Sequence, residues 1–87
     1  MKNRGRTEIV ATMLEAANEG ATKTKIMYSA FLSYNQLKEY LTFLIENNLI
    51  EHLEGTQTYK ITEKGLNFLR MHNEIGELLH TTSIKNE

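Results

Sequence analysis

The segment from Ala21 to Asn47, ATKTKIMYSAFLSYNQLKEYLTFLIEN, restricts the fold of this chain more than any other. Its pattern predicts two helices separated by a tight turn at Phe31 and Leu32. Thr22 can cap the first helix, because a threonine hydroxyl accepts a hydrogen bond from a backbone N–H that the helix leaves unsatisfied. Ser33 can cap the second helix in the same way. Two capped helices so close together are typical of a helix-turn-helix, an arrangement found in many DNA readers.

Each of these helices is predicted to have an apolar and a polar face. In the first helix, one face carries Ile26, Met27 and Ala30, and the other carries Lys25, Tyr28 and Ser29. In the second helix, the predicted core stripe consists of Leu37, Leu41, Leu44 and Ile45. Ser33 and Gln36 have the spacing of a capping box, in which each residue satisfies the backbone N–H of the other.

The polar face of the second helix carries Asn35, Gln36, Lys38, Glu39 and Thr42. Amide, amine and hydroxyl groups supply the donors and acceptors that read base edges in a major groove. This face therefore fits a recognition helix. An ordinary amphipathic helix with a solvated polar face explains the same pattern equally well.

Composition limits the chain to one small folded domain. It has 87 residues, of which 40% are hydrophobic and 24% are charged, values that are typical of a folded protein and not of a disordered one. It has no cysteine, which excludes disulfides, a thiolate zinc site and a cysteine nucleophile. The start, MKNRGRTE, lacks the apolar run of a signal peptide, and we expect no membrane-spanning helix.

The charge is distributed unevenly along the chain. The net charge of −1 argues against indiscriminate binding to nucleic acid through charge alone. Residues 1–43 carry six basic and four acidic side chains, a net charge of +2. Residues 44–87 carry four basic and seven acidic side chains, a net charge of −3. The cationic half is the half that contains the predicted helix-turn-helix.

A further helix is predicted before this segment, from Thr7 to Glu19. Its apolar face is formed by Ile9, Val10, Met13, Leu14, Ala16 and Ala17. Gly20 stands just past its end, where a left-handed residue often terminates a helix. The basic segment Met1–Arg6 has no periodicity, so it is either a frayed terminus or an arm that touches phosphates.

After the helix-turn-helix the pattern changes to that of a β-hairpin. Leu49–Leu53 and Thr58–Ile61 are short β-prone runs on either side of the loop Glu54–Gln57, which contains Gly55. A hairpin in this position is the wing of a winged helix. The predicted fold is therefore mainly α with a small β-hairpin, an α+β winged helix-turn-helix with an additional C-terminal helix.

The predicted wing is partly acidic. Glu51 and Glu54 would repel phosphate, and we count only His52 and Gln57 as polar groups that offset them.

The last helix, predicted from Glu63 to about His80 with Thr62 as its cap, has more apolar surface than one small core needs. We expect Leu66 and Leu69 to face the domain. A seam with coiled-coil spacing follows, formed by Phe68, Met71, Ile75 and Leu78. His72 and Leu79 lie alongside it and are counted with the predicted interface. This seam predicts a homodimer, although the helix could instead pack entirely on its own domain. The expected division is residues 1–62 as the winged domain, 63–80 as the dimerisation helix and 81–87 as a flexible tail.

These segments together resemble a known family. The stretch GATKTKIMYSAFLSYNQLKEYLTFLIENNLI, followed by TYKITEKGLNFL, is similar to small archaeal winged-helix DNA-binding proteins, in particular dimeric chromatin proteins of the Sulfolobus type. The most specific parts of the likeness are Thr22–Tyr28, Leu32–Tyr34 and Thr62–Gly65. The resemblance implies DNA binding as a homodimer whose C-terminal helices pair in an antiparallel coiled coil. It also implies that Lys23, Lys25 and Tyr28 lie near phosphates and that the helix from Ser33 enters the groove.

Three features depart from this family. The last helix looks shorter than the long coiled-coil arm of the chromatin proteins, the overall charge is acidic, and the wing carries Glu51 and Glu54. They favour a sequence-specific transcriptional regulator of an archaeon or an archaeal virus. An architectural chromatin protein and a winged-helix protein-interaction module remain alternatives, since a fold does not fix a function.

No group of residues in the sequence predicts an enzyme. His52, His72 and His80 are widely separated, and no phosphate-cradling glycine loop or nucleophile motif is present, so we expect no catalytic residue, metal, cofactor or small-molecule substrate. The tyrosines Tyr28, Tyr34, Tyr40 and Tyr59 are expected to be half-buried more often than stacked on bases.

The sequence therefore predicts a homodimer that binds double-stranded DNA and is associated with the nucleoid in the cytoplasm, or in the host cytoplasm if the protein is viral. The predicted DNA-binding residues are Lys23, Lys25, Tyr28, Ser33, Tyr34, Asn35, Gln36, Lys38, Thr42 and Gln57.

Overall fold

The computed structural model of the protein describes residues 5–82, with side chains as far as residue 79. Within these residues the elements are α1 (Arg6–Ala16), α2 (Lys23–Ser29), α3 (Tyr34–Glu46), β1 (Ile50–His52), β2 (Tyr59–Ile61) and α4 (Glu63–Thr82). The strands form an antiparallel hairpin between α3 and α4. The predicted α+β winged helix-turn-helix with an additional C-terminal helix is therefore confirmed.

Helix α1 ends three residues before the predicted end at Glu19. Its C-cap is Ala17, and the Ala17 carbonyl accepts hydrogen bonds from the N–H groups of Gly20 (3.1 Å) and Ile61 (3.0 Å). The bond to Ile61 ties the chain to β2, so the helix stops where the hairpin docks. Gly20 does adopt the predicted left-handed conformation, with φ +98°, but it follows a turn and does not directly follow the helix.

The caps of α2 and α3 are formed as predicted. Thr22 Oγ1 accepts from the N–H of Lys25 at 3.2 Å. Ser33 Oγ accepts from the N–H of Gln36 at 3.1 Å, and Gln36 Oε1 accepts from the N–H of Ser33 at 3.0 Å, which completes the capping box. These local bonds fix where α3 begins, and therefore which side chains its first turn presents.

The apolar stripe of α3 is narrower than predicted. Leu37, Leu41 and Leu44 are buried, but Ile45 is 40% exposed, so its assignment to the core was wrong. Successive helical residues are turned by about 100°, which places Ile45 at the edge of the face centred on these leucines. The polar residues of the opposite face are all exposed, as predicted.

The hairpin is joined to the start of α2. Its register pairs Ile50 with Ile61, Glu51 with Lys60, and His52 with Tyr59. Ala21, just before α2, exchanges two backbone hydrogen bonds with Tyr59, at 2.9 and 2.8 Å. The wing and the first helix of the helix-turn-helix are therefore held together directly.

One hydrophobic core lies between α1, α2, α3, the hairpin and the first half of α4. Its largest fully buried side chains are Met13, Leu14, Ile26, Leu37, Leu44 and Ile50.

The start of α4 is fixed by Thr62 and Gly65. Thr62 Oγ1 donates to the carbonyl of Asn48 at 2.6 Å and accepts from the N–H of Gly65 at 3.1 Å, as expected of a cap. Gly65 is buried, and a Cβ there would overlap the Leu49 carbonyl oxygen and lie 2.6 Å from Ile61 Cγ1. Only glycine therefore allows α4 to approach the end of α3 and β2 this closely.

The two faces of α4 differ in part from the prediction. Leu69 is buried as expected, but Leu66 is exposed, so its assignment to the core was wrong. Phe68, placed in the predicted seam, is half-buried against the core of its own chain. The rotation of α4 is set by the approach at Gly65, and this turns Phe68 and not Leu66 towards α1 and α3.

Both predicted flexible ends lie largely outside the described residues. Of the basic segment Met1–Arg6 only Gly5 and Arg6 are described, and Arg6 is the first residue of α1. Helix α4 continues to Thr82, two residues past the predicted end, and residues 83–87 are not described.

Candidate nucleic-acid interface

All ten residues predicted to bind DNA are exposed. They belong to α2, the turn after it, α3 and the hairpin loop, and they are Lys23, Lys25, Tyr28, Ser33, Tyr34, Asn35, Gln36, Lys38, Thr42 and Gln57. Exposure leaves each side chain accessible to a ligand but does not itself assign one.

The outer face of α3 is the best-defined part of this surface. Asn35, Lys38 and Thr42 follow one another at spacings of three and four residues, which places them on one side of the helix. Gln36 lies beside them, but its Oε1 is engaged in the capping box. While the box is intact, Gln36 can offer a base its amide N–H donors and the second lone pair of Oε1. Glu39 also lies on this face, so the face is polar and not purely cationic.

Lys38 is directed by an aromatic neighbour. Its Nζ lies 5.4 Å from the ring centroid of Tyr34, within the range of a cation–π interaction. This contact directs the ammonium group towards the N-terminal end of α3.

A cleft of about 430 Å³ separates the start of α2 from the wing, and it brings Lys23 and Gln57 together. It is lined by Thr22, Lys23, Thr24, His52, Gln57 and Tyr59. The His52 and Tyr59 rings lie against each other with centroids 4.9 Å apart. Hydroxyl, ammonium, imidazole and amide donors around one cleft are suited to phosphate oxygens. Thr22, Thr24 and His52 were missing from the predicted set, because only the docking of the hairpin through Ala21 and Tyr59 brings them there.

Three aromatic side chains are exposed around the turn between α2 and α3. Tyr28 is 69%, Phe31 82% and Tyr34 58% exposed. The expectation that the tyrosines are half-buried holds for Tyr40 and Tyr59 but is wrong for Tyr28 and Tyr34.

The wing is less repulsive to phosphate than the sequence suggested. Lys60 lies directly opposite Glu51 in the hairpin register, so a cation offsets this carboxylate across the strands. The expectation that only His52 and Gln57 compensate the acidic wing was therefore wrong.

The second half of α4 exposes an apolar face. Met71, Ile75 and Leu78 are each more than half exposed, as is Leu79 beside them. The alternative in which all of α4 packs on its own domain therefore does not hold for these residues. His72 is half-buried, stacks on Phe68 with centroids 6.3 Å apart, and has its Nδ1 buried without a hydrogen-bond partner among the described residues.

An apolar cleft of about 190 Å³ adjoins this face between α1, α3 and α4. Its lining residues are Arg6, Thr7, Val10, Tyr40, Phe43, Leu49 and Phe68. Because Phe68 belongs both to the cleft and to the predicted seam, the two apolar surfaces are continuous.

Among the described residues, no three His, Cys, Asp or Glu side chains are grouped as metal ligands would be. None of the described helices combines the length and the apolar character needed to cross a bilayer.

Comparison of the sequence with known families finds a match to the winged helix-turn-helix family over residues 3–80. The chain belongs to this family. A similar solved structure is that of Sso10a-2, a DNA-binding protein from Sulfolobus solfataricus, with a TM-score of 0.74 and 26% identity. The similarity covers 88% of this chain and 83% of Sso10a-2. The resemblance to archaeal winged-helix DNA-binding proteins is therefore confirmed.

Two uncharacterised proteins of Methanocaldococcus jannaschii are also similar in sequence. MJ0290 is 32% identical over 78 residues, which are 88% of this chain but only 36% of that protein. MJ0287 is 29% identical over 79 residues, which are 90% of this chain and 79% of its relative. This winged-helix chain thus spans about a third of the length of MJ0290 and most of MJ0287.

Proposed function

We propose that this protein binds double-stranded DNA as a homodimer and regulates transcription at specific sites on the genome. The observation that carries the proposal is the outer face of α3, where Asn35, Lys38 and Thr42 are exposed on a helix whose start is fixed by a capping box. The similarity to Sso10a-2, which is a DNA-binding protein, supports the same function. Its place of action would be the nucleoid in the cytoplasm.

In this proposal, the N-terminal half of α3 enters the major groove. Asn35 can bond adenine through two groups at once, and Lys38 and Thr42 supply an amine and a hydroxyl one and two turns further on. Gln36 would contribute chiefly through its amide N–H donors, because its oxygen already accepts a hydrogen bond from the Ser33 N–H.

The phosphate contacts are assigned to α2 and the wing. Lys23 lies in the cleft with His52 and Gln57, so one backbone phosphate could be held from both sides. Lys25 lies on the same helix, at a second cleft that also contains Glu15 and Glu19. Contacts of this kind position a protein on the duplex without reading its sequence.

The dimer is assigned to the exposed face of α4. The seam residues are placed symmetrically about Asn73, since Phe68 and Leu78 are each five residues from it and Met71 and Ile75 are each two. Two antiparallel copies would therefore bring Phe68 to the partner's Leu78 and Met71 to the partner's Ile75. Phe68, being half-buried, would form the end of the interface where the apolar cleft begins.

The charges on α4 favour the same antiparallel pairing. The first half of the helix carries Glu63, Lys64 and Arg70, a balance of +1, whereas the second half carries Glu74 and Glu77, a balance of −2. Antiparallel pairing sets opposite charges alongside each other, and parallel pairing would set like charges together.

Site-specific binding is proposed in preference to coating of DNA. The net charge of −1 and the wing residue Glu54 weaken binding that depends on charge alone. Paired recognition helices on one side of the duplex would select near-palindromic half-sites about one helical turn, ~34 Å, apart.

The test is selection of bound duplexes from a random pool, followed by binding measurements at increasing salt. The expected result is an enriched palindrome and a binding constant that falls steeply with salt. Lys23→Ala and Lys25→Ala should each reduce the salt slope by about one, because each removes a phosphate contact. Lys64→Ala, on the first turn of α4, is the matched control, and at a concentration at which sedimentation shows it to be dimeric it should leave the slope unchanged.

Two results would argue against the proposal. A protein that retains no duplex at low salt would exclude DNA binding. A footprint that spreads over genomic DNA without preference would instead favour the architectural alternative.

A further inference from the structure

Phe31 has a backbone conformation that folding explains, since the Leu32 N–H donates to the Met27 carbonyl at 3.0 Å and ends α2, but it has a side chain that folding does not explain. It lies in the turn between α2 and α3 with φ 55°, in the left-handed region, where a bulky side chain is an outlier. Its side chain is 82% exposed, so it contributes little buried area to the core. Asn48, with φ 60°, makes the contrast clear, because asparagine adopts this conformation readily and the Asn48 carbonyl accepts the bond from Thr62.

Phe31 lies in an exposed aromatic group at the N-terminal end of α3. We call Tyr28, Phe31 and Tyr34 the aromatic corner, since they stand within seven consecutive residues and each is more than half exposed. Tyr34 is the first residue of α3 and is fixed in place by the capping box at Ser33. The aromatic corner is therefore adjacent to Asn35, the residue proposed to read a base.

The charge around the aromatic corner indicates what kind of partner it fits. Lys38 contacts Tyr34, and no acidic residue occurs from position 20 to position 38, although Glu39 follows directly and Lys25 lines a separate cleft with Glu15 and Glu19. The N-terminal end of α3 adds the partial positive charge of a helix start. An apolar surface with this setting fits a partner that is anionic and has apolar groups of its own, and duplex DNA combines both through its phosphates and thymine methyl groups.

We propose that the aromatic corner contacts thymine methyl groups in the major groove, with Phe31 as the principal contact. The proposal rests on the proposed function, because it requires α3 to enter the groove. Phenylalanine cannot hydrogen-bond a base, but it can pack against the C5-methyl group that distinguishes thymine from cytosine. The exposed phenyl ring at this left-handed position would then be retained for recognition and not for stability.

The test compares the duplex enriched by selection from the random pool with the same duplex in which deoxyuridine replaces every thymidine. They differ only by the methyl group. The wild-type protein should bind the thymine duplex more tightly, by about fourfold for each methyl group contacted. Phe31→Asn should bind both duplexes equally while retaining its phosphate contacts.

The same variant separates a binding role from a structural one. Phe31→Asn should raise the midpoint of thermal unfolding by about 4 °C, because asparagine accepts the left-handed conformation with less strain. If the variant is more stable than the wild-type protein and no longer prefers the thymine duplex, Phe31 is a binding residue and not a structural one. The control is Phe43→Asn. Phe43 is an exposed phenylalanine of α3 that lines the cleft towards α1 and α4, so this variant should still prefer the thymine duplex.

The outcomes distinguish this inference from the proposed function. Equal binding of the two duplexes by the wild-type protein would overturn the inference alone and would leave the aromatic corner to a protein partner. Discrimination that survives in Phe31→Asn would also overturn it. Binding of neither duplex at low salt would overturn the proposed function, and the inference with it.

Discussion

Helices α3 and α4 are both amphipathic, yet they expose opposite faces. The leucine stripe of α3 is buried in its own domain, so its polar face is turned outward. In α4, Leu69 is buried, but Met71, Ile75 and Leu78 are exposed. The apolar face of α3 is thus satisfied within one chain, whereas that of α4 requires a partner if it is to leave water. Amphipathic pattern alone does not reveal which of the two situations a helix is in.

The largest expected effect concerns the exposed apolar face of α4. Ile75→Glu should raise the dimer dissociation constant by about 1000-fold, roughly 4 kcal/mol, because it would place an unpaired carboxylate inside the proposed seam. Sedimentation equilibrium measures this constant. Asn73→Glu adds the same charge on the opposite, exposed side of the helix and should leave the dimer intact. A wild-type protein that is monomeric at micromolar concentration would show that the exposed apolar face of α4 needs no partner chain.

The next effect concerns how α4 is attached to the domain. Gly65→Ala should lower the free energy of unfolding by about 3 kcal/mol, because the new Cβ would overlap the Leu49 carbonyl. Gly76→Ala, in the same helix with no atom within 4 Å of its Cβ position, should instead raise it by about 0.5–1 kcal/mol. Chemical denaturation measures both values. Equal effects at the two glycines would show that the close approach at Gly65 does not hold α4 in place.

A smaller effect is expected on the polar face of α3. Asn35→Ala should weaken binding to the selected site by about 2 kcal/mol and relax the preference for one base pair, because a bidentate base contact is lost. Gln36→Ala should change the base preference and also destabilise the start of α3, since it breaks the capping box. Repeating the selection with each variant tests the assignment. An unchanged selected sequence would mean that α3 does not read the groove.

The smallest effect is expected at the wing. Glu51→Gln combined with Glu54→Gln should raise affinity for random duplex about twofold, because exposed charges contribute little individually. The two single variants should contribute about equally, since each removes one negative charge from the wing. Titration of a non-specific duplex with each single variant separates the two contributions. A larger gain from Glu54 would show that the hairpin loop is nearer to phosphate than the strands are.

The order of elements could be predicted from the sequence because its signals are local. Thr22, Ser33 and Thr62 cap the helices that follow them through bonds to residues three positions ahead. The residue patterns of the hairpin strands and of the helices can likewise each be recognised within a few consecutive residues. The end of α1 could not be predicted, because it depends on a bond between Ala17 and the distant Ile61.

The polarity of the candidate site could be predicted, but not its shape. The exposed polar face of α3 follows from helical spacing alone. The cleft that joins Lys23 to Gln57 depends on the docking of the hairpin onto Ala21, which leaves no local signal. The exposure of Phe31 was missed for a related reason, since nothing in the sequence indicates that a phenylalanine takes a left-handed turn position.

The hydroxyl of Thr62 has a geometrical consequence for a dimer that reads two half-sites. It bonds both to Asn48, just after α3, and to Gly65 in the first turn of α4. The direction in which each side chain of α4 faces is therefore fixed relative to the recognition helix. Each residue inserted between Thr62 and the seam would advance the seam by about 1.5 Å and rotate it by about 100°. The partner would therefore rotate around the helix axis as it moves along it. Among relatives whose C-terminal helices differ in length, operator spacing should then change in steps near whole helical turns, because insertions of about 7 or 11 residues return the seam to within about 20° of the same side.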